Sequence, residues 1–181
     1  MPLNLLKKYP DLLELCDLNE QARKSSLRRI FDRDIANNEK FLFREKRIYP
    51  IKSDGIIDMD REFMHLTTEE VEEMDSNGKT FRRRVYDHFR SERLHWIKPH
   101  ADEQIADSNI VVFSIKERDI RKRMDVVRTY IYNKTRKYVI VFEPQCRNGK
   151  SYYLLTAYYL NKSFGEKQIA KKLKHKLAEV L

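Results

Sequence analysis

The sequence predicts an α+β protein: N-terminal helices with a hairpin, then a helix packed on an antiparallel sheet of about four strands, closed by a basic C-terminal helix. Apolar runs at Ile110–Ile115, Val139–Phe142 and Tyr152–Leu160, with the tyrosine-bearing segment Arg128–Tyr132 between them, have the length and the β-branched and aromatic content of strands. The connectors between them are short, and Arg147-Asn148-Gly149-Lys150 is turn chemistry, which favours antiparallel neighbours over parallel crossovers. Apolar residues at helical spacing flank this block on both sides.

From the N-terminus, Leu3 to about Cys16 alternates leucines with charges at helical spacing, with Pro10 kinking or dividing the segment. A second helix runs from Asn19 or Glu20 to about Asn37, where Leu27, Ile30, Phe31 and Ile35 share a face and Asn37-Asn38 is the stop. Phe41–Ile51 reads as one arm of a hairpin, with Ser53-Asp54-Gly55 as turn and Pro50 confining it to an edge. Thr67 or Thr68 followed by Glu69 and Glu70 reads as a helix N-terminus, cut short by the turn Asp75-Ser76-Asn77-Gly78. That turn divides residues 1–78 from residues 79–181. From Thr80 an amphipathic helix is expected, because Phe81, Val85, Phe89 and Trp96 lie within roughly 80° of one another on a helical wheel. After the strands, Gly165 precedes a helix to Leu181 whose apolar face is Ile169, Leu173, Leu177 and Val180.

The charge is unevenly placed. Residues 1–90 carry 18 basic and 18 acidic side chains, and residues 91–181 carry 19 and 10, so the whole excess of +9 falls in the strand-bearing part. A compact sheet that gathers the cationic excess points to a polyanion, most often nucleic acid. Cys16 and Cys146, 130 positions apart, form neither a metal spacing nor a disulfide framework, so a reduced cytoplasmic setting is expected. The apolar stretch after Met1 is too short for a signal peptide or a membrane span, and no membrane partner is expected. HExxH, paired CxxC, GxxxxGK[ST] and GxSxG are all missing, which removes support for ATP hydrolysis and acyl transfer; no metal and no cofactor is called for.

Strand alternation places Tyr152, Leu154, Thr156, Tyr158 and Leu160 on one side of the last strand, and Arg128, Tyr130 and Tyr132 on one side of another. Phenols, a hydroxyl and a guanidinium on one open face can stack on splayed bases and clamp phosphates. Packing in the core is the competing reading for most of these tyrosines. His95 and His100 flank Trp96-Ile97-Lys98-Pro99 just before the sheet, and a metal-free ribonuclease needs a base, an acid and cations around the phosphate. The candidate catalytic residues are therefore His95, His100, Arg128, Thr156 and Tyr158. Arg90, Arg93, Lys98, Tyr130, Lys150 and Tyr152 are the candidate nucleic-acid contacts.

The order of these elements resembles a nuclease superfamily. A segment Arg93-Leu94-His95-Trp96-Ile97-Lys98, a sheet, a strand Tyr138-Val139-Ile140-Val141-Phe142 and a final Tyr152-Tyr153-Leu154-Leu155-Thr156-Ala157-Tyr158 before a basic tail are similar to the group of barnase, EndoU, colicins E5 and D and the RelE toxins, in particular its phage-borne and polymorphic-toxin members. The resemblance covers roughly residues 80–176. It implies a metal-independent endoribonuclease with its site on the open face of the sheet. Thr156 and Tyr158 match the final-strand motif, Arg93, His95 and Lys98 match the basic segment, and Arg128 has the right type on a sheet strand. Residues 1–78 have no counterpart in that pattern. The expected partner is RNA, with a protein inhibitor or host factor as a further partner; the alternatives are a non-catalytic RNA- or DNA-binding protein and a module that captures an acidic host protein.

Overall fold

The computed structural model describes residues 3–50, 52, 53, 56–120, 122–145 and 151–181. Its centre is a six-stranded mixed sheet. Strands β1 (Leu42–Phe43), β2 (Lys46–Pro50), β7 (Ile110–Asp119), β8 (Met124–Asn133), β9 (Tyr138–Pro144) and β10 (Ser151–Tyr159) lie in the order β1-β2-β10-β9-β8-β7. β7 to β10 form an antiparallel meander, with Ile115 opposite Arg128, Tyr130 opposite Val141 and Tyr158 opposite Val139. The expected strands in this region are present; β7, β8 and β9 are longer than the runs that announced them, and β10 is shifted by one residue. β2 comes from the N-terminal region and joins β10 in parallel, pairing Ser151–Leu154 with Arg47–Pro50.

The sheet separates two apolar clusters. The larger holds Phe31, Phe43, Phe63, Leu66, Trp96, Phe142 and Tyr152. Each ring removed from water there contributes roughly 1.5–3 kcal/mol. Helix α1 (Glu20–Phe31) covers this side with Leu27, Ile30 and Phe31, and its N-terminus is capped by Asn19 Oδ1 accepting from the Ala22 amide at 2.9 Å. The helical path continues as a π turn over Asp32–Ala36, as the spacing to Ile35 predicts. The smaller cluster joins Phe113, Tyr130, Val139 and Val141 to Ile169 of helix α5 (Ser163–Lys174).

Several local expectations are corrected. Leu3–Cys16 contains only a short 3-10 turn at Leu3–Leu5. The rest is pinned by tertiary bonds: Asn4 accepts from the Glu14 amide and donates to its carbonyl, and the Leu13 amide donates to the Glu92 carbonyl. Phe41–Pro50 turns at Arg44-Glu45, both with positive φ of 48° and 65°, while Ile56–Ile57 (β4) pairs with Lys52–Ser53 (β3). Thr67 closes helix α2 (Met59–Thr67), whose N-cap is Asp58, instead of opening a helix.

The amphipathic helix expected from Thr80 is instead strand β6 (Thr80–Tyr86), paired antiparallel with β5 (Thr68–Met74). Phe81 and Val85 satisfy both periods, two and 3.6, and the deciding contacts are cross-strand: Glu72 with Arg82 and Glu73 with Arg83. Asp75–Gly78 is the turn, Asp75 Oδ1 accepting from the Asn77 and Lys79 amides and Gly78 taking φ 77°. Helical structure in this stretch is confined to α3 (His88–Ser91), a 3-10 turn at Leu94–Trp96 and α4 (Ile97–Ala101). The last helix stops at Lys174, and the following chain runs along the edge strand, with the Leu177 amide donating to the Ser114 carbonyl at 2.7 Å. Among the described residues no helix is long and apolar enough to cross a membrane.

Candidate functional site

β10 has two unlike halves. Its register against β9 shifts between Leu154 and Thr156, a bulge centred on Leu155. Up to Leu154 the odd-even alternation puts Tyr152 and Leu154 in the larger cluster; beyond the bulge Ala157 lies there and Tyr158 and Leu160 face the smaller one. The face expected to join Tyr152 with Thr156 and Tyr158 is therefore split. Pairing with β2 also ends at Leu154, so among the described residues the Thr156–Tyr159 half presents an edge that no strand covers.

Helices α2 and α3 pack against that edge. Asp87 caps α3 by accepting from the Arg90 amide at 3.0 Å, which orients the Arg90 side chain toward β10. Arg90 Nη1 donates to the His65 carbonyl at 2.6 Å and lies 3.4 Å from Thr156 Oγ1. Its Nε stands 3.5 Å from Asp87 Oδ2, an ion pair without a hydrogen bond, and is buried with no acceptor. Burial lowers the Arg90 pKa, with Asp87 acting against the shift, and the guanidinium stays charged. Next to it, Arg84 on β6 donates to Thr68 Oγ1 at 3.1 Å and to His65 Nδ1 at 2.9 Å. Since a guanidinium only donates, Nδ1 accepts and a neutral His65 carries its proton on Nε2.

Arg90 and Tyr158 line one cavity of about 190 Å³, together with Glu69, Lys162, Phe164 and Lys172. Burial pushes the Tyr158 phenol up to about 12, so it is a proton donor throughout the neutral range. A charged chain continues from Lys172 across the second face of the sheet. Lys172 Nζ donates to Glu117 Oε2 at 2.6 Å and to Tyr130 Oη at 2.7 Å; Tyr130 donates to Glu117 at 2.9 Å; Arg128 pairs with Glu117 at 2.8 Å and Asp119 at 3.0 Å. Burial alone would raise the Glu117 carboxyl, but Lys172, Tyr130 and Arg128 outweigh it and hold it below its ordinary value. Tyr130 is raised by burial and by Glu117, and its ring stacks on Phe113 at 5.2 Å.

The structure thus places Arg90, Thr156 and Tyr158 at or beside one cavity, with Lys172 linking it to the Glu117 cluster. Arg128 and Tyr130 lie in that cluster, bound to carboxylates, and Tyr130 is buried against Phe113. The remaining candidates lie elsewhere. His100 is 2% exposed, donating from Nδ1 to the Trp96 carbonyl at 2.7 Å and accepting at Nε2 from Asn133 Nδ2 at 3.1 Å. Both nitrogens are committed, and burial lowers its pKa to about 4. His95 is 3% exposed with neither ring nitrogen hydrogen-bonded; burial lowers it to about 4 against the smaller opposing pull of the Asp11 backbone.

Arg93 is sandwiched near the Trp96 and Tyr159 rings, 5.2 Å and 4.0 Å from their centroids, and bonds to the Phe89 carbonyl and Glu92. Tyr152 packs against Phe43 and Phe142. Lys98 pairs with Asp102 and lines, with His95, Lys8 and Arg33, a separate cavity of about 520 Å³ on the N-terminal side. Lys150 lies outside the described residues.

Sequence reasoning missed His65, Arg84 and Glu69. Glu69 reads as part of a solvated acidic run, yet on β5 it lies at the base of the hairpin, where it lines the cavity while Glu72 and Glu73 pair with arginines. The signal that could have separated them is the match of Glu72-Glu73 to Arg82-Arg83 across the Asp75–Gly78 turn. His65 carries no such signal, because only packing of α2 on β10 brings it near Arg90. Among the described residues no group of His, Cys, Asp and Glu side chains is arranged to hold a metal ion. Comparison with protein-family models, with curated proteins and with solved structures gave no significant match.

Proposed function

We propose that the protein is a metal-independent endoribonuclease, of the phage-borne or toxin type, whose active site is the cavity beside the half of β10 that β2 leaves unpaired. One observation carries this reading: Arg90 reaches Thr156 beside a cavity that also holds the Tyr158 phenol and the Glu69 carboxylate. A cation, a proton donor and a proton acceptor around one space are what cleavage by an internal 2′-hydroxyl needs. Glu69 takes the 2′-hydroxyl proton, and O2′ attacks phosphorus. Arg90 and Lys162 face the non-bridging oxygens, Thr156 positions the phosphate, and Tyr158 protonates the departing 5′-oxygen. The bond to the 5′-oxygen breaks, leaving a 2′,3′-cyclic phosphate and a 5′-hydroxyl. His65 and Arg84 act on the arginine and the strand edge as positioning residues.

The resemblance of Thr156 and Tyr158 to the final-strand motif of the nuclease superfamily supports the same reading. His95 and His100, committed to the core, have a structural part in it. The test is incubation of the purified protein with total RNA and tRNA in EDTA, with end-group analysis of the products. Fragments bearing cyclic phosphate and 5′-hydroxyl ends are expected. Intact RNA at high protein excess, accompanied by a mobility shift, would replace this reading with a non-catalytic RNA-binding protein.

A further inference from the structure

Besides Tyr158, two aromatic rings line the β10 cavity, and a third packs on one of them. Phe164, at the start of α5, lines the cavity and is 54% exposed. Tyr159 lines it from β10, with the Arg93 guanidinium 4.0 Å from its ring centroid. Phe89 immediately precedes Arg90 on α3, is 45% exposed, and its ring lies 5.9 Å from that of Tyr159 in a tilted contact. Phe164 lines the cavity with the cations Arg90 and Lys162, and Phe89 is the chain neighbour of Arg90, so exposed rings and positive charge stand together here.

We propose that these rings form a base-stacking platform, and that the site accepts single-stranded RNA with its bases splayed out and rejects the duplex. The proposal rests on the nucleic-acid reading above in taking RNA as the ligand, and adds which form of it binds and through which side chains. In a double helix the base faces are stacked on one another and only phosphate, sugar and groove edges are presented, so Phe89 and Phe164 have nothing to stack on. On a single strand each base offers a π-face, and the cations beside the rings hold the intervening phosphate. Asn161 and Gln168, whose amides line the same cavity, add donors and acceptors for a base edge.

The test uses a short fluorescein-labelled 2′-O-methyl oligonucleotide, which lacks the attacking hydroxyl and cannot be cleaved. Its affinity is measured by anisotropy as a single strand, as a duplex, and as a strand of equal length with abasic central positions. The single strand should bind at least tenfold more tightly than the other two at the same salt. Phe89→Ala and Phe164→Ala should each weaken single-strand binding roughly tenfold, with the slope against salt unchanged because the cations remain. Phe164→Tyr should restore binding, which separates loss of stacking from misfolding. Equal affinity for duplex and single strand, an unaffected alanine pair, or no binding to any probe would overturn the proposal. A platform that binds as expected in a protein that leaves cleavable RNA intact would keep this inference while sinking the enzymatic one.

Discussion

Tyr158→Phe is expected to lower the rate of RNA cleavage by about 10²–10⁴-fold, the usual contribution of a positioned general acid. The substitution removes one hydroxyl from a side chain that packs on the smaller cluster, so ring packing against that face is retained. Thermal unfolding should therefore move little, and binding of the uncleavable strand should be preserved. The separation of these readouts gives the prediction its force. A variant with full activity would show that the phenol is only a packing group, and a variant that lost binding and rate equally would assign Tyr158 to substrate attachment instead of proton transfer.

The second large effect is on stability in acid. His95 and His100 are both held neutral by burial, with folded-state pKa values near 4 against an ordinary 6.5. Between those values the unfolded chain binds protons that the folded chain does not, so stability falls as pH drops through this window and levels off below it. Each histidine accounts for roughly 3 kcal/mol at the low end, on the conversion of about 1.4 kcal/mol per pKa unit. Together they approach the total stability of an ordinary domain, about 5–15 kcal/mol. The Glu117 carboxylate, lowered by its cationic neighbours, adds a loss of the same sign that begins only below its ordinary value of 4.5. Urea midpoints should be flat above neutrality and fall steeply toward pH 4. His100→Gln should be less stable at neutral pH, because its two bonds to the Trp96 carbonyl and Asn133 are imperfectly replaced, yet should show a shallower acid slope. A stability that does not change between neutrality and pH 4.5 would show that these rings are not buried neutral.

Much of the scaffold was legible in the chain. The meander Ile110–Tyr159 announces itself through apolar runs and short turns, α1 through its Leu27–Ile30–Phe31 face and its start at Asn19 or Glu20, and Asp75–Gly78 as a turn, although it reads as the end of a helix and not as the tip of a hairpin. The strand at Thr80–Tyr86 was not, because apolar residues four apart fit both a helix and alternate positions of a strand. Only the facing glutamates of β5 decide between them, and they lie on the other arm. Nor does anything local mark Leu155 as a bulge, since neither glycine nor proline is present there; the shift in pairing with β9 is a property of the assembled sheet.

The same limits explain the partial reading of the site. Thr156, Tyr158 and Arg90 stand out as candidates because their residue types suit phosphate chemistry and two of them share a strand. His95 and His100 drew attention for their chemistry alone, and burial beside Trp96 withdraws both from it. His65 has the same chemistry and no local emphasis. Its place near the β10 edge depends on helix α2 packing against a strand far along the chain, which no short-range pattern encodes.

The cavity at the edge of β10, with Arg90 and Tyr158, has a larger cationic rival lined by Lys8, Arg33, His95 and Lys98. The choice between them is open to direct observation by titrating the uncleavable single strand into isotope-labelled protein and following amide shifts. The perturbations should centre on Phe89–Arg90, Thr156–Tyr159 and the start of α5 near Phe164. Shifts confined to Leu5–Tyr9, Lys98 and Ile105, with the β10 edge silent, would contradict the assignment of the site.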